Sequence, residues 1–198
     1  MSSFFQMFMN TLGSAAVVSA IAALFFASQK RRELHQEDKA LHSLLIAVVF
    51  GLLSIYASVS AVSVDGVLSN CRTLPVLYAG MVGGPISGII SGLIGGLFRF
   101  FAYSTPSDVP CMLACFLAGV IGSSIHITVK KKYRFNLLTG LCASLVTEGC
   151  HMLITALFGY PDVVAKVALP MILSNVLGLA FCLYIYKHFT GNPDQTEE

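Results

Sequence analysis

Long apolar runs separated by short polar connections organise the chain, at about Ser3 to Ser28, Ala40 to Val64, Thr73 to Tyr103, Pro110 to Val129, Asn136 to Gly159 and Val163 to Lys187. A helix crosses the bilayer's hydrocarbon core with about 20 apolar residues, so each run is a candidate membrane span. The pattern predicts an all-α polytopic membrane protein, a bundle of six to seven transmembrane helices. Within the third run, Gly80, Gly84, Gly88, Gly92 and Gly96 recur at a strict spacing of four, framed by Arg72 and Arg99. Glycine at every fourth position strips one helix face of side chains and lets a second helix approach to backbone distance.

The polar connections set an orientation. Lys30, Arg31, Arg32 and Lys39 follow the first run, Lys130, Lys131, Lys132 and Arg134 follow the fourth, and Lys187 closes the last. Basic residues mark cytoplasmic loops, which places the N-terminus outside and the C-terminus in the cytoplasm. The first run has its basic cluster behind it, the reverse of a secretory signal peptide, and reads as a retained helix. The loop around Asp65 is then external and the Lys130 cluster internal. An odd number of crossings between them requires the glycine segment to fold back on itself. Gly83, Gly84 and Pro85 supply the break, giving a glycine-rich hairpin.

Arg72 precedes Pro85 by thirteen residues and Arg99 follows it by fourteen, so the two arginines end at nearly equal depth. Each arm rises about 20 Å at 1.5 Å per residue, which leaves both guanidiniums just below the outer surface. A charge in hydrocarbon is costly, about 2.5–3.5 kcal/mol on insertion scales, and usually faces a cavity, a partner or a ligand. A single arginine near a helix end can instead be an anchor that snorkels outward. Pro110 suits a helix start, whose free amides near Cys111 would face the same region. Two guanidiniums and a helix N-terminus specify an anion, and a planar carboxylate fits the guanidinium fork best.

Composition agrees with this class: 56% hydrophobic and 11% charged residues in a chain of 198 with a net charge of +2 do not describe a water-soluble domain. The length allows one bundle and no second folded domain. The basic residues are accounted for by the loops, so nucleic acid is not an expected partner; the lipid bilayer is. Six cysteines form no Cys-x-x-Cys pair, and most lie inside apolar runs as buried thiols. Cys71 and Cys111 fall at the outer face, where they would couple only if their Cα atoms approach to about 6 Å. Glu148 and His151, three apart near mid-membrane, are a possible proton or polar site. A metal reading fails because no second such motif and no further intramembrane carboxylate accompany them. The plainer alternative is a protonated Glu148 hydrogen-bonded within the bundle, to His151 or Asn175. The charged loop from Gln29 to Lys39 reads as a solvated helix extension. No phosphate loop, nucleophile elbow, catalytic carboxylate pair or cofactor motif is present, so no enzyme activity and no cofactor are expected.

Asn70-Cys71-Arg72, Ala79 to Pro85, Gly88, Gly92, Gly95-Gly96-Leu97-Phe98-Arg99-Phe100, Pro110-Cys111 and Ala118-Gly119 together resemble the LytS-type five-transmembrane receptor domain, the membrane input module of certain bacterial sensor histidine kinases and cyclic-dinucleotide enzymes. The resemblance is carried by residues 65–124. It implies a bacterial cytoplasmic-membrane sensor for a small carboxylate such as pyruvate, with a ligand set at the positions of Arg72, Arg99, Cys111 and Ala114, and with Asn70 in the same motif. Ala114 departs from the family pattern by lacking a serine hydroxyl, and residues 102–108 replace a glycine-rich loop. Residues 1–189 are expected to form a single sensor domain and 190–198 a short cytoplasmic tail. With no kinase or cyclase module in the chain, output would pass to a separate signalling protein or through a homo-oligomer. The alternative is a small-molecule transporter or its substrate-binding component, which a broken glycine-rich segment and a mid-membrane Glu148 would also suit. A structural scaffold would bind nothing and tolerate loss of Arg72.

Overall fold

The computed structural model of the protein describes residues 3–31, 39–64, 67–103, 105, 107–129 and 137–190. Seven helices run through them in chain order: α1 (Ser3–Arg31), α2 (Lys39–Val59), α3 (Thr73–Gly83), α4 (Pro85–Ala102), α5 (Asp108–Val129), α6 (Leu137–Leu157) and α7 (Pro161–Thr190). All but α3 are long and apolar enough to cross a membrane. Leu24, Phe101, Leu157 and Tyr184 are among the large side chains on their outer faces, which suits a lipid environment. Residues 32–38 of the charged loop, Asp65, the cluster from Lys130 to Arg134 and the tail from residue 191 lie outside the described residues.

The longest apolar run is divided at Gly84, which adopts φ 84° and ψ −167°, a backbone region essentially reserved for glycine. Pro85 then opens α4, where its missing N–H leaves nothing unpaired. A Cβ built on Gly88 would lie 2.7 Å from Gly80 Cα, and one on Gly92 would lie 3.4 Å from Val76 Cγ1. These pairs are symmetric about Gly84, so α3 and α4 lie side by side as antiparallel arms.

Glycine decides how closely α4 meets α5. Cβ atoms at Gly88, Gly92 and Gly96 would come within 2.6 Å of Gly119 O, 2.9 Å of Cys115 O and 3.1 Å of Met112 O. The contacts climb α4 as they descend α5, an antiparallel seam built backbone against backbone. Gly80 joins from α3, where a Cβ would sit 2.8 Å from Ser123 N. On the other side of α4, Ser87 donates to Ser43 O of α2 at 2.7 Å. Every residue of α3 from Thr73 to Met81 is buried, as befits a helix without a polar face. The surrounding core includes Phe50, Leu74, Leu77 and Leu179, with the Phe50 and Tyr78 rings 5.4 Å apart. Helices α1 and α7 close the bundle, where Ser19 Oγ donates to Gly178 O at 3.4 Å.

One element escapes the hydropathy pattern. Helix α2 ends at Val59, short of the apolar run, because β1 (Val62–Val64) pairs antiparallel with β2 (Val67–Ser69), Val62 opposite Ser69. Thr11 and Ser69 hydroxyls 2.9 Å apart, and Ser14 and Ser60 hydroxyls 2.8 Å apart, tie this segment to α1. The hairpin therefore shares one end of the bundle with the starts of α3 and α5. Gly84 lies at the opposite end, beside Ser43, which donates to Gly83 O, and His126, whose Nδ1 is 2.8 Å from Met81 O.

Candidate functional site

The start of α3 carries the least satisfied charge among the described residues. Arg72 has no exposed surface, and none of its three guanidinium nitrogens has a hydrogen-bond partner. Its backbone is fixed from both sides: Arg72 N–H donates to Asn70 Oδ1 at 3.4 Å, and Arg72 O accepts from Ser54 Oγ of α2 at 3.1 Å. The Cys111 and Cys115 thiols, one turn apart on α5, are its electrostatic neighbours.

Arg99, in the last turn of α4, is as buried but differently placed. Its Nη2 lies 2.9 Å from Asp108 Oδ1 and donates to Thr105 Oγ1 at 3.0 Å, and the guanidinium carbon sits 4.4 Å from the centre of the Tyr103 ring. Nε and Nη1 remain without partners. The two guanidiniums feel one another electrostatically. Among the described residues Arg99 has a counter-ion and Arg72 has none.

A polar chain reaches the same place from α6. Thr73 donates its hydroxyl to Glu148 Oε1. Glu148 Oε2 lies 3.6 Å from His151 Nδ1, and His151 Nε2 lies 3.7 Å from Cys111 Sγ. Glu148 and His151 are 1% and 3% exposed, and their three-residue spacing puts both on the helix face turned toward α3 and α5.

A small cavity collects these groups. Asn70, Arg72, Ser107, Cys111, His151 and Thr155 are its polar lining, and Leu68, Met152, Val163, Val167 and Met171 complete the wall. It offers about 20 Å³ to the centre of a water-sized sphere, room for about one water. Larger occupants must push the walls outward, and the two unbranched methionines are the side chains best able to yield.

Asn70, Arg72 and Cys111 therefore meet at one cavity. Arg99 stands behind it in its pair with Asp108. Ala114 is buried on α5 but is not among the cavity's lining residues. Gly80, Gly88, Gly92 and Gly96 form the helix seam, and Gly83, Gly84 and Pro85 form the turn at the far end. One expectation is corrected. Helix α5 starts at Asp108 rather than Pro110, so the Cys111 N–H is already spent on Ser107 O at 3.1 Å and is not left for a ligand. Glu148 is held within the bundle by Thr73 as donor, with His151, one of the two expected partners, 3.6 Å away; the other, Asn175, has no side-chain partner among the described residues. All six cysteines are free thiols, Cys71 and Cys111 included. The sequence had Glu148 and His151 as a separate pair. Ser144, Thr147, Glu148, His151 and Thr155, recurring at three- and four-residue steps, were the signal that α6 turns a polar face inward.

Six helices long and apolar enough to cross a membrane, packed with a short buried helix that Arg72 precedes, make this a polytopic helical membrane domain. The chain belongs to the family described as "5TMR of 5TMR-LYT", whose profile matches residues 26–188. It is 28% identical over 204 residues to the sensor histidine kinase YpdA of Escherichia coli (strain K12), covering 98% of this chain and 35% of that protein. The sensor protein LytS of Streptococcus agalactiae serotype V is 25% identical, with 90% of this chain and 34% of that protein covered. Sensor histidine kinase BtsS of Escherichia coli (strain K12) is 28% identical, with 73% of this chain and 27% of that protein covered. The chain thus spans about a third of the length of these relatives and corresponds to their membrane sensor domain. No solved structure matches it.

Proposed function

We propose that the domain binds a small carboxylate in the cavity at Arg72 and passes the binding event to a cytoplasmic signalling output. The observation that supports this most is Arg72 itself, fully buried, facing a cavity and unpaired among the described residues. An isolated buried charge costs several kcal/mol, and a ligand anion that supplies the missing counter-charge recovers much of that. Arg72 offers the fork, Asn70 and Cys111 line the cavity beside it, and Arg99 adds long-range positive potential with its two unpartnered nitrogens. Ala114 supplies no hydroxyl, so polar contacts beyond the guanidinium must come from other lining groups.

The basic loops support a topology with the N-terminus and the cavity outside and Lys187 at the cytoplasmic end of α7. Ligand entry would spread α6 and α7 at Met152 and Met171 and shift α3, whose other end is the Gly84 turn on the cytoplasmic side. A ligand with different affinity for two arrangements of the glycine seam shifts their populations, and a separate output protein or a second copy of the chain reads the shift. The resemblance to sensor histidine kinases makes a kinase-type phosphorelay the output of choice.

Thermal unfolding of the purified chain in detergent, with pyruvate, lactate, acetate and succinate, tests the reading. A carboxylate at a hundredfold over its Kd should stabilise the fold by about 2.7 kcal/mol. Stabilisation of the parent and not of Arg72→Ala supports the reading, and no response to any of the four contradicts it.

A further inference from the structure

The carboxylate reading uses Arg72 but leaves the chain of groups behind Cys111 unexplained. Cys111 Sγ faces His151 Nε2 at 3.7 Å, His151 Nδ1 faces Glu148 Oε2 at 3.6 Å, and Thr73 holds the other carboxylate oxygen. A thiol, an imidazole and an orienting carboxylate in that order are the parts of an activated cysteine nucleophile. With its proton on Nδ1 toward Glu148, the ring leaves Nε2 as the acceptor for the thiol proton. Arg72 is the buried cation next to this thiol, with no carboxylate partner among the described residues. Arg99 and Cys115 are the further titratable neighbours of Cys111 from α4 and α5. Cys111 also lines the cavity, so a small molecule seated at Arg72 lies against its sulfur.

We propose that Cys111 is a primed nucleophile and a covalent modification site for small electrophiles that enter the arginine cavity, anionic ones foremost. The preference for anionic reagents rests on the reading that Arg72 seats a carboxylate; the nucleophilicity of the thiol does not. In the reaction the thiol proton passes to His151 Nε2 and the sulfur electron pair forms a carbon–sulfur bond. With a halo acid, the carbon–halogen bond breaks and halide leaves. With an α,β-unsaturated acid, the double-bond pair moves to the α-carbon, which takes the proton back from His151. Glu148 acts as a positioning residue: at 3.6 Å its carboxyl stands at ion-pair rather than hydrogen-bond distance from Nδ1 and favours a proton on that nitrogen.

Alkylation of the full chain in detergent at pH 7, followed by peptide mass spectrometry and compared with glutathione in the same buffer, tests this. Iodoacetamide probes the thiol alone and iodoacetate probes thiol and anion seat together. A buried cysteine without activation reacts more slowly than glutathione. Cys111 should react with iodoacetamide at least as fast as glutathione, and its rate should fall tenfold or more in His151→Gln and less in Glu148→Gln. Iodoacetate should gain on iodoacetamide at Cys111 relative to glutathione, and Arg72→Ala should remove that gain. If Cys111 in the unmodified parent lags behind glutathione with both reagents, the proposal is overturned whatever the variants do. An unchanged rate in a monodisperse His151→Gln overturns it as well. Fast, His151-dependent alkylation with no gain for iodoacetate would leave the primed thiol standing and remove the carboxylate seat.

Discussion

Arg99 and Asp108 join the end of α4 to the start of α5 through a 2.9 Å ion pair in which both side chains are buried, 1% and 7% exposed. Asp108 also receives the Thr105 backbone N–H and hydroxyl, so one carboxylate fixes the arginine, the connecting loop and the first turn of α5. Removing one partner of a buried pair leaves the other charge stranded. Asp108→Asn keeps the shape and removes the charge. It should destabilise the fold by about 3–5 kcal/mol, read as a lowered Tm in size-exclusion thermal stability assays. A Tm equal to the parent's would show that Arg99 needs no counter-ion.

The glycine seam makes a sharper prediction because two glycines in similar helices differ in what surrounds them. A Cβ at Gly88 meets Gly119 O at 2.6 Å and Gly80 Cα at 2.7 Å, all backbone that cannot swing aside, whereas a Cβ at Gly149 meets nothing within 4 Å. Gly88→Ala should force α4 off α5 and α3 and cost more than 1 kcal/mol. Gly149→Ala should be neutral or stabilise by up to about 1 kcal/mol through helix propensity. Thermal unfolding of the two variants side by side separates the seam from glycine content in general.

Gly84 is constrained by conformation more than by space. Its φ of 84° with ψ of −167° excludes a side chain at modest cost, and a Cβ there would also press on His126 Nε2 at 3.2 Å. Gly84→Ala should cost about 1–3 kcal/mol, while Pro85→Ala, at the first position of α4, should cost well under 1 kcal/mol because the helix start needs no N–H there. Comparable losses from both would argue against a hairpin that turns on Gly84.

Thr73 and Glu148 provide the test of the polar chain. Thr73→Val preserves shape and deletes the donor to a buried carboxyl, for an expected loss of about 1–3 kcal/mol. In a double-mutant cycle with Glu148→Gln the two losses should be far from additive, since each removes the same hydrogen bond. Additive losses would mean that the two residues act independently.

The elements whose information is local were legible in the sequence. Run length gave six apolar runs and a bundle of six to seven helices, the four-residue glycine repeat marked the face of α4 that meets α5, and Gly83-Gly84-Pro85 marked the break. Counting outward from that break put Arg72 and Arg99 at one end, where they now lie within electrostatic reach of one another. The strands at Val62–Val64 and Val67–Ser69 were not read, although Asp65-Gly66 between β-branched and apolar residues is a strong hairpin signal; the apolar run overrode it. The start of α5 was misjudged because Pro110 outweighed Asp108, the residue whose carboxylate accepts the Thr105 N–H and hydroxyl. The asymmetry of the two arginines was beyond sequence reading, since it depends on Asp108 reaching back to Arg99. So was the union of His151 with Cys111, forty residues apart, which only the side-by-side placement of α5 and α6 brings about.

Equilibrium binding of radiolabelled pyruvate, together with the other small carboxylates as competitors, to the parent, Arg72→Ala and Arg99→Ala in detergent most directly tests whether Arg72 awaits a ligand anion. The account predicts saturable binding to the parent, its loss in Arg72→Ala, and a weaker effect in Arg99→Ala because that guanidinium already has Asp108. Binding that survives Arg72→Ala, or a folded parent that binds none of the carboxylates, would contradict it.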